Sequence, residues 1–136
     1  MAWKLLQGWK SEQRNIGWAE AIAIELTLEW LIARGVHDTS LTLHCNNQGV
    51  VFAWDAGWSR TYQQNDAIAR IAACADQHNL WLDLVYIKSE LNPADAPSRG
   101  VKPLGAHCSP INLPIPPHLR IFISHTSVSD LSLIHI

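Results

Sequence analysis

"SLTLHCNNQGVVFAWDAG", Ser40 to Gly57, decides the fold class. Leu41, Leu43 and Cys45 alternate with Thr42 and His44, so the first six residues predict a strand with one apolar face. Asn46 or Asn47 then offers a side-chain oxygen to the open amides of a new helix. That helix is expected to run to about Ala56 and stop at Gly57, because glycine accepts the left-handed backbone that closes a helix. A strand turning through a polar corner into a helix is the unit of an α/β layer fold. In such folds ligands collect beyond the carboxyl ends of the strands, and here that corner holds two neutral amides.

Outward from this stretch the same alternation of elements continues. Trp18 to Arg34 reads as a long helix closed by Gly35. "QQNDAIARIAACADQHN", Gln63 to Asn79, spaces Ile68, Ile71, Ala72 and Ala75 as one helical face. "LWLDLVYI", Leu80 to Ile87, is nearly continuous in apolar and β-favouring residues and predicts a strand buried on both faces. "AWKLLQGW", Ala2 to Trp9, is a short strand candidate.

After Gly100 the character changes. Residues 101–136 hold five of the seven prolines and show no periodicity, so they read as an irregular, proline-rich tail outside a domain of residues 1–100. The ending "LSLIHI", Leu131 to Ile136, reads like the translated end of a sequencing adapter and is set outside the fold.

Apolar residues make up 48% of the chain and charged residues 16%, enough to build a core and too few charges for a disordered segment. The net charge of -2 gives no global attraction to nucleic acid, so a nucleic-acid role needs a local basic patch. Cys45, Cys74 and Cys108 have no metal-binding or redox spacing and read as free thiols of a reducing compartment. "AEAIAIELTLEWLIA" is the longest apolar run, but three glutamates interrupt it, so no membrane span is expected. Lys4 and Lys10 fall where a leader would be apolar. Together these features predict an intracellular setting, cytoplasm or nucleus, with no membrane partner.

Three polar residues are candidates for chemistry. With about 100° per residue, Ile24, Thr27, Leu28 and Leu31 lie within about 80° of Glu20 on the helix. Glu25 and Glu29 fall about 140° to 180° away and are expected to form a solvated stripe. Glu20 thus stands on the face that meets the sheet, where a carboxylate must be paired, hydrogen-bonded, metal-bound or matched to the positive helix start. In "SELNPADAPSRG", Ser89 to Gly100, Pro93 is placed to open a helical turn with Asp95 in its first residues. Asp95 then either caps that turn or lines a site at the end of the preceding strand. Asn46 ends the first strand. Carboxylates gathered at one such corner suit Mg2+ or Mn2+, hard ions that prefer oxygen. Two such ions can activate water and stabilise the leaving oxygen in phosphodiester cleavage.

The stretches "IGWAEAIAIEL", "LTLHCNNQGVVFAW", "SRTYQQNDAIARI" and "LWLDLVYIKSELNPADAPSRG" are similar to the RNase H domain of gypsy-type (LTR) retrotransposon reverse transcriptases. The resemblance runs from Ile16 to Gly100 and is most specific at the ending asparagine-proline-alanine-aspartate with serine-arginine. It implies an α/β, RNase H-like three-layer fold with a mixed sheet and helices packed on it. It also implies Mg2+- or Mn2+-dependent hydrolysis of RNA in RNA–DNA hybrids, with four acids holding two ions. By this resemblance Glu20 and Asp95 are catalytic metal ligands, and Asn46 stands where the family has aspartate. "AWKLLQGW" matches the family's third strand, so the first two strands and the first acid have no counterpart. An incomplete fold of this kind would leave a strand edge open or demand a partner.

The expectation is therefore a degenerate RNase H-like domain, a hydrolase and endonuclease by family, with cleavage lost. The implied partners are an RNA–DNA hybrid and the rest of a reverse transcriptase polyprotein. A non-catalytic module binding nucleic acid or protein, and a gene fragment without function, are the alternatives. Lys88 and Arg99 are candidate phosphate contacts, with Arg60, Arg70 and Lys102 reading as solvated charge unless they join them. Trp54 and Trp58 could stack bases, but their helical spacing fits core better. His44 points away from the Cys45 face and takes no role.

Overall fold

The computed structural model describes residues 2–92 and 114–126. In chain order the elements are β1 (Ala2–Leu5), α1 (Ile16–Ala33), β2 (Thr39–Cys45), α2 (Gln48–Ala56), α3 (Tyr62–Gln77), β3 (Leu80–Tyr86) and β4 (Ile123–Thr126). They fall into two units, one of Glu12–Asn92 and one of Met1–Ser11 with Pro93–Ile136. The fold is mixed α and β, with three helices and two two-stranded sheets.

In the unit Glu12–Asn92, Asn15 starts α1 by accepting a hydrogen bond from Trp18 N at its Oδ1, 3.1 Å away. Asn47 repeats the device for α2, its Oδ1 accepting from Val50 N at 3.1 Å. Each bond satisfies an amide that a helix start leaves open. Gly57 closes α2 at φ 81°, and Gly35 follows α1 at φ 90°, both in the left-handed region glycine favours.

β2 and β3 pair in parallel from Thr39↔Leu80 to Cys45↔Tyr86, with α2 and α3 forming the crossover between them. The register starts at two left-handed residues, Asp38 at φ 53° and Asn79 at φ 52°. Asn79 Nδ2 donates to Asp38 Oδ1 at 2.9 Å, and Asp38 N donates to His78 O at 3.1 Å. Both residue types tolerate this backbone, and their mutual bonds fix which residues of the two strands face each other.

The core joins Ile24 and Leu28 of α1, Cys45 of β2, Val50 and Val51 of α2, Ile71 and Ala75 of α3, and Leu80, Leu82 and Leu84 of β3. Trp54 anchors α2 to β3 by donating from Nε1 to Leu82 O at 3.2 Å. α1 is buried around most of its circumference, from Trp18, Ala19, Ala21 and Ile22 to Leu26 and Leu28.

Several expectations are corrected here. β3 is not buried on both faces: Leu80, Leu82 and Leu84 pack inward while Trp81 is 78% exposed and Val85 is exposed too. Its apolar composition masks an ordinary alternation, because two large apolar residues sit on the outer face. Glu25 is not part of a solvated stripe. It is 3% exposed, because α1 also packs on α3, which brings Arg70 to it. Arg70 is therefore an ion-pair partner rather than solvated charge. On α3 Ala67 takes the buried position while Ala72 is exposed. The helix rotates so that Ala67, Ile68, Ile71 and Ala75 make the stripe.

The second unit holds β1 paired antiparallel with β4, from Ala2↔Thr126 to Leu5↔Ile123. Leu6 N extends the ladder to Phe122 O at 2.6 Å. A single 3-10 turn, Pro117–Leu119, precedes the strand, with Leu119 and Ile123 buried. The stretch read as irregular thus contributes a strand and a turn, because Pro117 takes the first turn position, where its missing N–H costs nothing. The described strands form two separate pairs rather than one mixed sheet. Among the described residues no helix is long and apolar enough to cross a membrane.

Candidate functional site

The polar corner lies where β2 ends. Asn46 Nδ2 donates to Ser89 Oγ at 3.2 Å, linking the end of β2 to the 3-10 turn Ser89–Leu91 just after β3. The link is supported by backbone: Ile87 N donates to Cys45 O at 3.0 Å, one pair beyond the strands' last residues. Two neighbouring strand ends are thus held together at the carboxyl side of the sheet, where ligands of α/β folds collect.

Glu20 is half-buried in the second turn of α1. The Cys45 thiol is pushed above its ordinary pKa, mainly by burial and further by the negative charge of Glu20. The Cys45 S–H also points to Asn47 O at 3.8 Å, which opposes that rise. A charge felt at Cys45 is near the end of β2, one residue from Asn46. The electrostatic influence of Glu20 on Cys45 is what links α1 to the end of β2, one residue before Asn46. Asp95 and Arg99 lie outside the described residues.

Lys88 is exposed and immediately precedes the Ser89 turn. His44 is exposed on the face of β2 opposite to Cys45. Trp54 is half-buried and packs on the core. Trp58 is 58% exposed, which corrects its reading as core: Gly57 ends α2 before Trp58 can join the helix's inner face.

The donors present are the right kind for a hard cation but few. Glu20 supplies one carboxylate and Asn46 one neutral amide oxygen, with its NH2 committed to Ser89. Among the described residues no group of three or more His, Cys, Asp or Glu could hold a metal ion. Two divalent ions need more anionic compensation than these residues give.

Ser89 is the residue that sequence reasoning missed. Its signal was its place, three residues after the last residue of β3, at the end of a strand parallel to β2. The opposite ends of the same strands form a different feature. There Asp38, Thr39, Ser40, Asp76, Asn79, Leu80 and Trp81 line an open hollow of about 460 Å³. Hydrogen bonds from Asn79 and from His37 hold the Asp38 carboxyl below the usual range.

Cys45 and Cys74 carry free thiols, and Cys108 lies outside the described residues. No family model, curated protein or solved structure matches this chain.

Proposed function

We propose that this chain is a degenerate RNase H-like domain of a retroelement reverse transcriptase, which still engages an RNA–DNA hybrid but no longer cuts it. The observation that carries the reading is the hydrogen bond from Asn46, at the end of β2, to Ser89 in the turn after β3. Glu20 of α1 acts on Cys45 at the end of β2, and the next residue, Asn46, is hydrogen-bonded to the turn after β3. That turn leads into the sequence "NPADAPSR", which holds Asp95. An acid in the second turn of a helix and polar groups at two adjacent parallel strand ends are part of what a two-ion phosphodiesterase uses.

The loss of cleavage follows from charge. Asn46 is neutral, and its NH2 donates to Ser89 instead of leaving an anionic oxygen for a cation. This sequence supplies Glu20 and Asp95 of the four acids that the resemblance requires. Lys88 is exposed beside the corner and is suited to a phosphate contact, with Arg99 further along the same segment.

The test uses a labelled RNA–DNA hybrid and a DNA duplex of the same sequence, with Mg2+ or Mn2+ present. The hybrid is expected to be bound in preference to the duplex and to stay intact. Cutting that Glu20→Gln abolishes would overturn the loss of activity. Equal binding of both duplexes, or of neither, would overturn the family reading.

A further inference from the structure

The loop between α2 and α3 presents a pattern that the corner does not use. Along Trp58, Ser59, Arg60, Thr61 and Tyr62, the first, third and fifth residues are exposed and the two between are half-buried. Trp58 is 58% exposed and Tyr62 67% exposed, high values for large aromatic rings.

The backbone beneath these rings is held at several points. Trp58 N donates to Ala53 O at 3.1 Å, Ser59 N to Asn65 Oδ1 at 3.0 Å, and Tyr62 N to Gln13 Oε1 at 2.8 Å. The Ser59 and Thr61 hydroxyls also lie 3.4 Å apart. A pinned loop that turns its rings outward loses little freedom when something stacks on them. Arg60 lies between Trp58 and Tyr62 in sequence and makes no hydrogen bond or ion pair among the described residues. The first turn of α3 carries no acidic residue to neutralise it.

We propose that Trp58, Arg60 and Tyr62 grip a single nucleic-acid strand, with two bases stacked on the rings and the phosphate between them on the guanidinium. The proposal rests on the RNase H-like reading for its class of partner and adds the unpaired strand to it. Ring, cation and ring follow one another in the order of base, phosphate and base. Four residues of chain hold the Cα atoms that carry the rings at most about 14 Å apart. The residues interleaved with and following the rings in sequence, Ser59, Thr61, Gln63 and Asn65, carry hydroxyls and amides, whereas the middle of a protein interface is apolar. Stacking on aromatic side chains accepts any base, and a single arginine adds a salt-dependent contact.

The experiment titrates the full chain into a fluorescein-labelled oligo-dT strand and follows anisotropy over a range of salt. Trp58→Ala and Tyr62→Ala should each weaken binding by about tenfold. Trp58→Phe should keep most of it. Arg60→Ala should lower the slope of log affinity against log salt by about one. All three side chains are exposed, so the variants should melt at the wild-type temperature, and the melts verify this. Absence of binding by the wild-type chain, or wild-type affinity in all the alanine variants, overturns the proposal. So does a chain that ignores the strand yet self-associates until Trp58→Ala makes it monomeric. If hybrid preference fails while ring-dependent strand binding persists, the RNase H reading falls and the grip stands. The reverse result removes the grip alone.

Discussion

Arg70 on α3 grips Glu25 on α1 through three hydrogen bonds of 3.0 to 3.1 Å, its Nε reaching both carboxylate oxygens and its Nη2 one of them. Glu25 is 3% exposed, while about a third of the Arg70 side chain meets solvent. Removing the cation takes the guanidinium from a buried carboxylate, which costs more than the pair contributes. Arg70→Ala should lower the unfolding free energy by about 3 kcal/mol, the low end for a buried pair because of that solvent contact. Replacing both partners, Glu25→Leu with Arg70→Met, should restore stability to near wild type. Urea denaturation of the three variants measures this, and a loss below about 1 kcal/mol for Arg70→Ala would show that the bond is not structural.

This pair also marks the limit of what the amino-acid order reveals. A cap at Asn46 or Asn47, the stop at Gly57 and the alternation of Leu41, Leu43 and Cys45 were legible because each depends on neighbours a few positions away, and in the structure Asn47 makes the cap. Glu25 was misplaced because its burial depends on a residue 45 positions later, on another helix. Trp81 was misplaced for a related reason: composition shows that a strand is apolar, but only the packed layers decide which face is covered. The β1–β4 pair joins the two ends of the chain, which no local signal encodes. At the candidate site the position of Asn46 was legible from the strand end, but its bond to Ser89 spans 43 positions and was not.

Gly17 in the first turn of α1 is held small by Gln64. A Cβ there would lie 2.6 Å from Gln64 Oε1 and 3.2 Å from Asn15 Oδ1. Gln64 is buried at 7% exposure, so its amide has little room to retreat. Crowding of this kind costs about 1 to 3 kcal/mol, against at most about 1 kcal/mol gained from alanine's better helix propensity. Gly17→Ala should therefore destabilise by about 1 kcal/mol net. Shortening Gln64 to alanine in the same chain should remove that penalty. Thermal melts of the single and double variants decide the point.

Cys45 gives the fold an alkaline limit. Burial is the main cause that raises its thiol above the ordinary value of 9.0, and the charge of Glu20 adds to it. The folded state therefore binds this proton more tightly than the unfolded chain does. Its contribution to stability is complete below pH 9.0 and is lost as pH rises through the folded value. Cys74 shifts in the same direction, by burial and then by Glu29 and Glu25. The melting temperature should fall above pH 9.0, and Cys45→Ala should make that fall shallower while lowering stability at neutral pH through the cavity it leaves. Iodoacetamide should label Cys45 far more slowly in the folded chain than in urea, with half-buried Cys74 labelled sooner, as read by peptide mass.

The hydrogen bond from Asn46 to Ser89 makes the metal question testable one atom at a time. Asn46→Asp replaces the amide NH2 by an anionic oxygen, and the Ser89 hydroxyl can turn from acceptor to donor to meet it. The corner then holds two carboxylates, Glu20 and the new one, and carboxylate count is what tunes hard-cation affinity. Asn46→Asp should bind Mn2+ about tenfold more tightly than the wild-type chain, and Glu20→Gln in that background should cancel the gain. Ser89→Ala in the same background should keep the gain but reduce it, because the supporting hydroxyl orients a ligand without being one. Calorimetric titration with Mn2+ reads all three. A folded Asn46→Asp chain with wild-type Mn2+ affinity would mean that Glu20 and position 46 do not share a cation, and the reading of this corner as a former metal site would fall with it.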